Sequence, residues 1–127
     1  MARLNRCIPE FCVSEMAKIV AFLTGVVGFE VDPCRFDDAD PDQQRFLEKG
    51  DIKIRLYSAD HITNSRPGET SLVFECDNSQ YWNDLLRARG FQPVFCREIG
   101  APLTVTCYIT DDFEVHFEEV GTESRTT

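Results

Sequence analysis

Two stretches of this 127-residue chain share one layout: an apolar strand-like run, an amphipathic helix, and a Gly-Phe step into a second strand. The first runs from Ile8-Pro-Glu-Phe-Cys-Val-Ser-Glu to Gly28-Phe29-Glu-Val31, the second from Ser71-Leu-Val-Phe-Glu-Cys-Asp-Asn to Gly90-Phe91-Gln-Pro-Val94. Setting Phe11 on Phe74 sets Val13 on Cys76, Ser14 on Asp77 and Phe22 on Leu85, and omitting one residue then sets Gly28-Phe29 on Gly90-Phe91. Internal similarity of this kind predicts a duplicated supersecondary unit and narrows the fold before any other feature does. Two half-open sheets joined edge to edge enclose a concavity, which is where a ligand is expected.

Within the first copy, Cys7 to Val13 reads as a strand, and Ser14 to Leu23 as a helix with Ser14 in the capping position. Met16, Ile19, Val20 and Leu23 fall at helical spacing and make an apolar stripe that a sheet must cover. Gly28 ends the helix, Phe29 to Phe36 begins a strand, and Asp37 to Asp42 is a polar loop. Arg45 to Glu48 and Ile52 to Tyr57 flank Lys49-Gly50-Asp51, a hairpin signal. Residues 58–70 contain Pro67-Gly68 without periodicity and serve as the linker. In the second copy Ser71 to Cys76 is a strand, and Asn78 to Ala88 a helix capped from Asp77 or Asn78. Phe91 to Cys96, Leu103 to Ile109 and Phe113 to Glu118 are strands, with Asp111-Asp112 in the last turn and a frayed tail from Gly121. The expectation is an α+β fold of two βαβββ modules, about 6–57 and 71–120, forming a curved mixed sheet around a cleft within one domain, 1–127.

Strand alternation sorts the side chains between two faces. Cys7, Pro9, Phe11 and Val13, with Ile52, Ile54 and Leu56, Leu72, Phe74 and Cys76, and Phe113, Val115 and Phe117, go under the helices. The other face receives Ile8, Glu10, Cys12, Lys53, Arg55, Tyr57, Ser71, Val73, Glu75, Glu114, His116 and Glu118. That face is unusually polar, as either a ligand site or a solvated outer sheet face would be.

A formal charge of −9 and a pI near 4.6 argue against a nucleic-acid partner, which is bound by Lys and Arg neutralising phosphates. The 43% of hydrophobic residues is enough for one core. Cys7, Cys12, Cys34, Cys76, Cys96 and Cys107 show no CxxC spacing, and no secretory signal precedes them. Most lie in apolar runs, as reduced core cysteines do, and no apolar run approaches the ~20 residues that span a bilayer. The expected setting is reducing and cytoplasmic, with no membrane partner.

At this point the chain resembles the vicinal oxygen chelate superfamily of glyoxalases, extradiol dioxygenases, fosfomycin-modifying enzymes and bleomycin resistance proteins. The resemblance is carried by Ile8-Pro-Glu-Phe-Cys-Val-Ser-Glu-Met, Phe22-Leu, Val27-Gly-Phe-Glu-Val31, the run from Phe46 through Lys49-Gly50-Asp51 to Leu56, and Val115-His-Phe. It covers about Cys7 to Val120. In the metal-using members it implies four ligands, usually His and Glu, on the first and fourth strands of each module. Those positions fall here on Ile8, Arg55, Ser71 and His116. One plausible ligand does not hold a divalent ion where catalytic sites ordinarily use about three protein ligands, and Arg55 brings a permanent positive charge. No metal and no cofactor are therefore expected. The resemblance is nearest to the metal-free bleomycin resistance proteins, which sequester a cationic antibiotic in clefts between two subunits and whose dimer commonly exchanges the first strand.

On this reading Glu10, Glu75, Glu114 and Glu118 form a negative well around His116, attractive to a cation. Lys53 and Arg55 offer the opposite outcome, an internal network that neutralises it. Tyr57, Tyr108 and Phe46 are candidates to stack on a planar ring, Trp82 is a packing or dimer residue, and His61 a solvated linker residue. The expected ligand-binding set is thus Glu10, Phe46, Arg55, Tyr57, Glu75, Tyr108, Glu114 and His116, with no assigned catalytic residue. Three functions stay open: a dimeric, metal-free binder of a cationic or aromatic small molecule, a superfamily lyase, isomerase or dioxygenase with an atypical metal site, and a non-catalytic scaffold.

Overall fold

A computed structural model describes residues 2–32, 43–58, 69–97, 100 and 102–121. The chain divides into two compact units, 1–68 and 69–127. Unit one contains β1 (Glu10–Val13), α1 (Met16–Phe22), a π-helical turn (Leu23–Val27), β2 (Glu30–Val31), β3 (Gln44–Lys49) and β4 (Ile52–Ser58). Unit two contains β5 (Thr70–Cys76), α2 (Ser79–Ala88), β6 (Val94–Cys96), β7 (Thr104–Thr110) and β8 (Phe113–Glu119). The sheets have the orders β1-β4-β3-β2 and β5-β8-β7-β6, each with one parallel pair and antiparallel neighbours. The α+β class and the repeated βαβββ order therefore hold. His61 and the Asp37 to Asp42 loop lie outside the described residues.

Several elements differ in extent from the sequence expectation. Strand pairing begins at Glu10 rather than Cys7, and Cys7 and Pro9 are exposed instead of buried under a helix. Pro9 has no N–H to give a ladder, although its carbonyl accepts from the Arg55 N–H at 3.0 Å. Helix α1 starts at Met16, with Glu15 in the cap position and no cap bond from that side chain, one residue beyond the cap expected at Ser14. The strand expected from Phe91 is confined to Val94–Cys96, because the peptide of Pro93 cannot donate. Helix α2 follows its cap signal: Asn78 accepts from the Tyr81 N–H at 3.1 Å.

Each sheet buries one face against its helix. In unit one Ile19, Leu23 and Leu56 are fully buried with Val13, Phe22, Leu47 and Ile54, although Ile52 at the strand end stays 45% exposed. The helix ends in a wide turn in which the Gly28 N–H reaches back to Leu23 O at 3.0 Å. Lys49 Nζ donates to Val27 O at 2.8 Å, satisfying one carbonyl at this terminus. Gly28 has φ of +96°, a left-handed conformation that calls for glycine, and the only atom near a Cβ there would be the movable end of Lys49, Nζ at 2.9 Å.

In unit two Val105, Cys107, Phe113, Val115 and Phe117 are buried, with Leu86 of α2, and Trp82 stacks on Phe117 at 4.5 Å and 9°. Trp82 is thus a packing residue. Burial pushes the Cys107 thiol up to about 11, so it stays protonated and inert, while Cys7 and Cys96 are exposed. Asn83 of α2 is only 8% exposed and its Oδ1 has no hydrogen-bond partner. An unpaired buried acceptor costs about 1–3 kcal/mol. Replacing it in Asn83→Leu is expected to raise stability by about 1 kcal/mol, measured by urea unfolding; a loss of stability would show that the amide is satisfied.

Candidate functional site

Register places side chains that share a cross-strand row on the same face. In unit one Glu10, Arg55 and Phe46 form one row across β1, β4 and β3, and Cys12, Tyr57 and Gln44 the next. Arg55 is ion-paired with Glu10, and its guanidinium carbon lies 5.6 Å from the centre of the Phe46 ring. Phe46 is only 8% exposed, and Tyr57 is half-buried. One row further, Lys53 Nζ meets Glu48 Oε2 at 2.6 Å. Both open-face cations of β4 are therefore matched by carboxylates. These partly exposed pairs are worth at most about 1 kcal/mol each in stability, but they cancel the local charge.

The equivalent face of unit two is built differently. Its rows are Ser71–Glu114–Tyr108, Val73–His116–Thr106–Val94, and Glu75–Glu118–Thr104–Cys96. It carries three glutamates, and among its described residues no lysine or arginine. Glu75 and Glu118 stand directly opposite each other on parallel neighbours. Like charges so placed cost stability, a cost that a bound cation relieves. At the centre, His116 Nδ1 is 2.7 Å from Thr106 Oγ1, and Nε2 is 3.6 Å from Glu114 Oε1. Val73, Val94 and Tyr108 are 55%, 51% and 62% exposed, so apolar surface flanks the charged centre.

Tyr108 is turned outward next to a bulge in β7, where pairing skips from Tyr108 to Thr110 and Ile109 is the extra residue. Bulges re-aim side chains and recur beside binding sites. Here the bulge adjoins a solvent-open depression of about 170 Å³ lined by Glu69, Thr70, Tyr108, Asp111, Asp112, Phe113 and Glu114. Four carboxylates around the exposed ring of Tyr108 suit a cationic group, by charge and by its attraction to a ring face.

The eight residues named from the sequence thus fall into two groups, Glu10, Phe46, Arg55 and Tyr57 on one sheet and Glu75, Tyr108, Glu114 and His116 on the other. Thr106 was missed. Its signal was available, since it shares strand parity with Tyr108, but hydroxyl residues in strands are common and its contact with His116 depends on register. A divalent metal does not fit the residues at the four positions the resemblance indicated: Ile8 has no donor atom, Arg55 is ion-paired with Glu10, and Ser71 is exposed. Among the described residues no group of three His, Cys, Asp or Glu is placed to hold a metal ion.

Neither a protein-family model nor a curated protein sequence matches the chain. Its fold does match solved structures. A genomically encoded fosfomycin resistance protein from Listeria monocytogenes superposes with a TM-score of 0.69 at 12% identity, over 98% of this chain and 99% of that one. A lactoylglutathione lyase from Agrobacterium tumefaciens gives 0.68 at 17% identity, over 92% and 96%. An antibiotic binding protein from a Streptomyces species gives 0.66 at 15%, over 93% and 98%. The chain therefore has the fold of the glyoxalase, bleomycin resistance and dioxygenase proteins that the sequence pattern resembled. These identities carry the fold alone, and the neighbours include a lyase, a resistance protein and an antibiotic binding protein.

Proposed function

We propose that this protein is a metal-free binder of an organic cation with an apolar or aromatic body, held on the open face of the second sheet. The carrying observation is the asymmetry of charge: the open-face cations of β4, Lys53 and Arg55, are neutralised in place, whereas the open face of the second sheet carries Glu75, Glu114 and Glu118 with only His116 as a basic group among its described residues. The ammonium or amidinium group would lie by Glu114 and Tyr108, and the apolar part across His116 toward Val73. The fold's occurrence in an antibiotic binding protein from a Streptomyces species supports a sequestering role. A homodimer with the ligand in a cleft at its interface, working in a reducing cytoplasm, belongs to the same proposal. Cys7, Cys76, Cys96 and Cys107 carry free thiols, and among the described residues no helix is long and apolar enough to cross a membrane.

The test is thermal melting of chelator-treated protein against bleomycin, other cationic antibiotics, aromatic amines and divalent metals. At ten times Kd a ligand adds about 1.4 kcal/mol, a shift of a few degrees. That shift should vanish in Glu114→Gln and Tyr108→Ala. Stabilisation by a divalent metal alone would replace this proposal with the enzyme reading, and silence across the panel would favour the scaffold.

A further inference from the structure

The segment before β1 is opposite in charge to the rest of the chain. Residues 2–9 contain Arg3 and Arg6 and no acidic side chain, in a protein of formal charge −9. They form no helix or strand, residues 2–7 are exposed, and Leu4 keeps its entire surface in solvent. Among the described residues no ion pair holds either arginine. Complementary chemistry lies on the open face of the second sheet, where Glu75 and Glu118 stand opposite each other beside the exposed Val73. We propose that this arm docks on that face of a second copy of the chain, with Arg6 between Glu75 and Glu118 and Leu4 on Val73. Strand β1 stays in its own sheet, paired with β4, so the contact lays a strap across a sheet face and exchanges no strand.

Spacing fixes the register. In an extended segment residues two apart project to the same side, about 6.7 Å from each other. Leu4 and Arg6 are so related, and so are Val73 and Glu75 on β5. An arm lying along β5 therefore sets an apolar side chain on an apolar one and a guanidinium on a carboxylate at the same time. The neighbouring strand β8 brings Glu118 to that guanidinium, whose forked donors serve two carboxylates at once. The pairing also relieves the repulsion between the two glutamates. The occupant is a second copy because the arm is exposed along its whole length on its own chain. When each copy straps the other, the contact closes as a two-fold dimer. An apolar group beside a positive charge is also what the proposed small ligand offers, so arm and ligand compete for one face. That competition rests on the ligand-binding reading; the docking does not.

Sedimentation velocity of the full chain at low salt gives the first test. The protein should form a reversible dimer that Arg6→Glu and Glu75→Arg each weaken about tenfold, the order expected for reversing one charge at an interface. A chain carrying both substitutions should recover most of the loss, since the reversed charges again meet across copies. A chain that is monomeric at every concentration, or a dimer unmoved by Arg6→Glu, would overturn the proposal. The second test locates the arm. In a Cys7→Ser, Cys96→Ser background, Leu4→Cys combined with Val73→Cys should give a disulfide-linked dimer on oxidation, and neither substitution alone should do so. A link formed within one chain would overturn docking between copies. Benzamidine then probes the competition: it should weaken the dimer and bind Arg6→Glu more tightly than the unaltered protein, and equal affinities would refute the competition. If the linked dimer forms and benzamidine binds neither protein, the cation-binding reading falls while the docking of the arm stands.

Discussion

Phe117→Ala is expected to destabilise the protein by about 3–5 kcal/mol, the range for emptying a buried aromatic site. Phe117 is fully buried at the centre of β8. Its ring lies 4.5 Å from Trp82 in a near-parallel stack and 5.8 Å from Phe74. Truncation removes the transfer free energy of the ring, leaves a cavity between α2 and the sheet, and breaks aromatic contacts worth about 0.5–1.5 kcal/mol beyond area. Trp82 is the chain's single tryptophan, so its fluorescence reports on the altered site directly. Urea unfolding followed by that signal should give a large fall in midpoint, with Phe117→Leu losing less than about half as much. A change below about 1 kcal/mol in the alanine variant would mean that α2 is not held by this stack.

Glu119→Ala should be the second large effect, at about 2–3 kcal/mol, because one carboxylate oxygen serves two donors. Glu119 Oε1 accepts from the Ser79 N–H at 2.9 Å and from Ser79 Oγ at 3.1 Å. Ser79 is the first residue of α2 and is only 1% exposed, so neither water nor the helix itself can replace that partner. The negative charge also sits at the positive end of the helix. Glu119→Gln keeps an acceptor without the charge and should recover roughly half of the loss. Equal losses in the two variants would show that charge alone carries the interaction, and no loss in either would remove it from the account.

These two anchors show where sequence reading stops. The Asn78 cap was visible because its partner is three residues away. The Glu119 contact spans 40 positions and becomes visible only when β8 is laid parallel to β5. The same division runs through the candidate site. Alternation alone placed Glu10, Arg55, Glu75, Glu114 and His116 on open faces, and the duplicated pattern foretold the βαβββ order. It could not choose between a negative well and an internal network, because pairing depends on which strands are neighbours. The structure contains both outcomes, the network on one sheet and the uncancelled glutamates on the other. Strand ends were misjudged where proline removes a donor, at Pro9 and Pro93, and the β7 bulge beside Tyr108 left no periodic trace.

The wide turn after α1 explains why the two halves of the chain are not equal in length. Gly28 follows Phe22 by six positions, whereas Gly90 follows the matching Leu85 by five. A helix can house one surplus residue without displacing what comes after it by loosening a single turn from the usual spacing to a bond across five residues. That is the bond from Gly28 to Leu23. The surplus is absorbed before the glycine, so both halves leave their helices through the same left-handed step, at φ of +96° and +90°. The turn is in effect the scar of an insertion, and Lys49, clasping Val27 across the hairpin, is the stitch that keeps it closed.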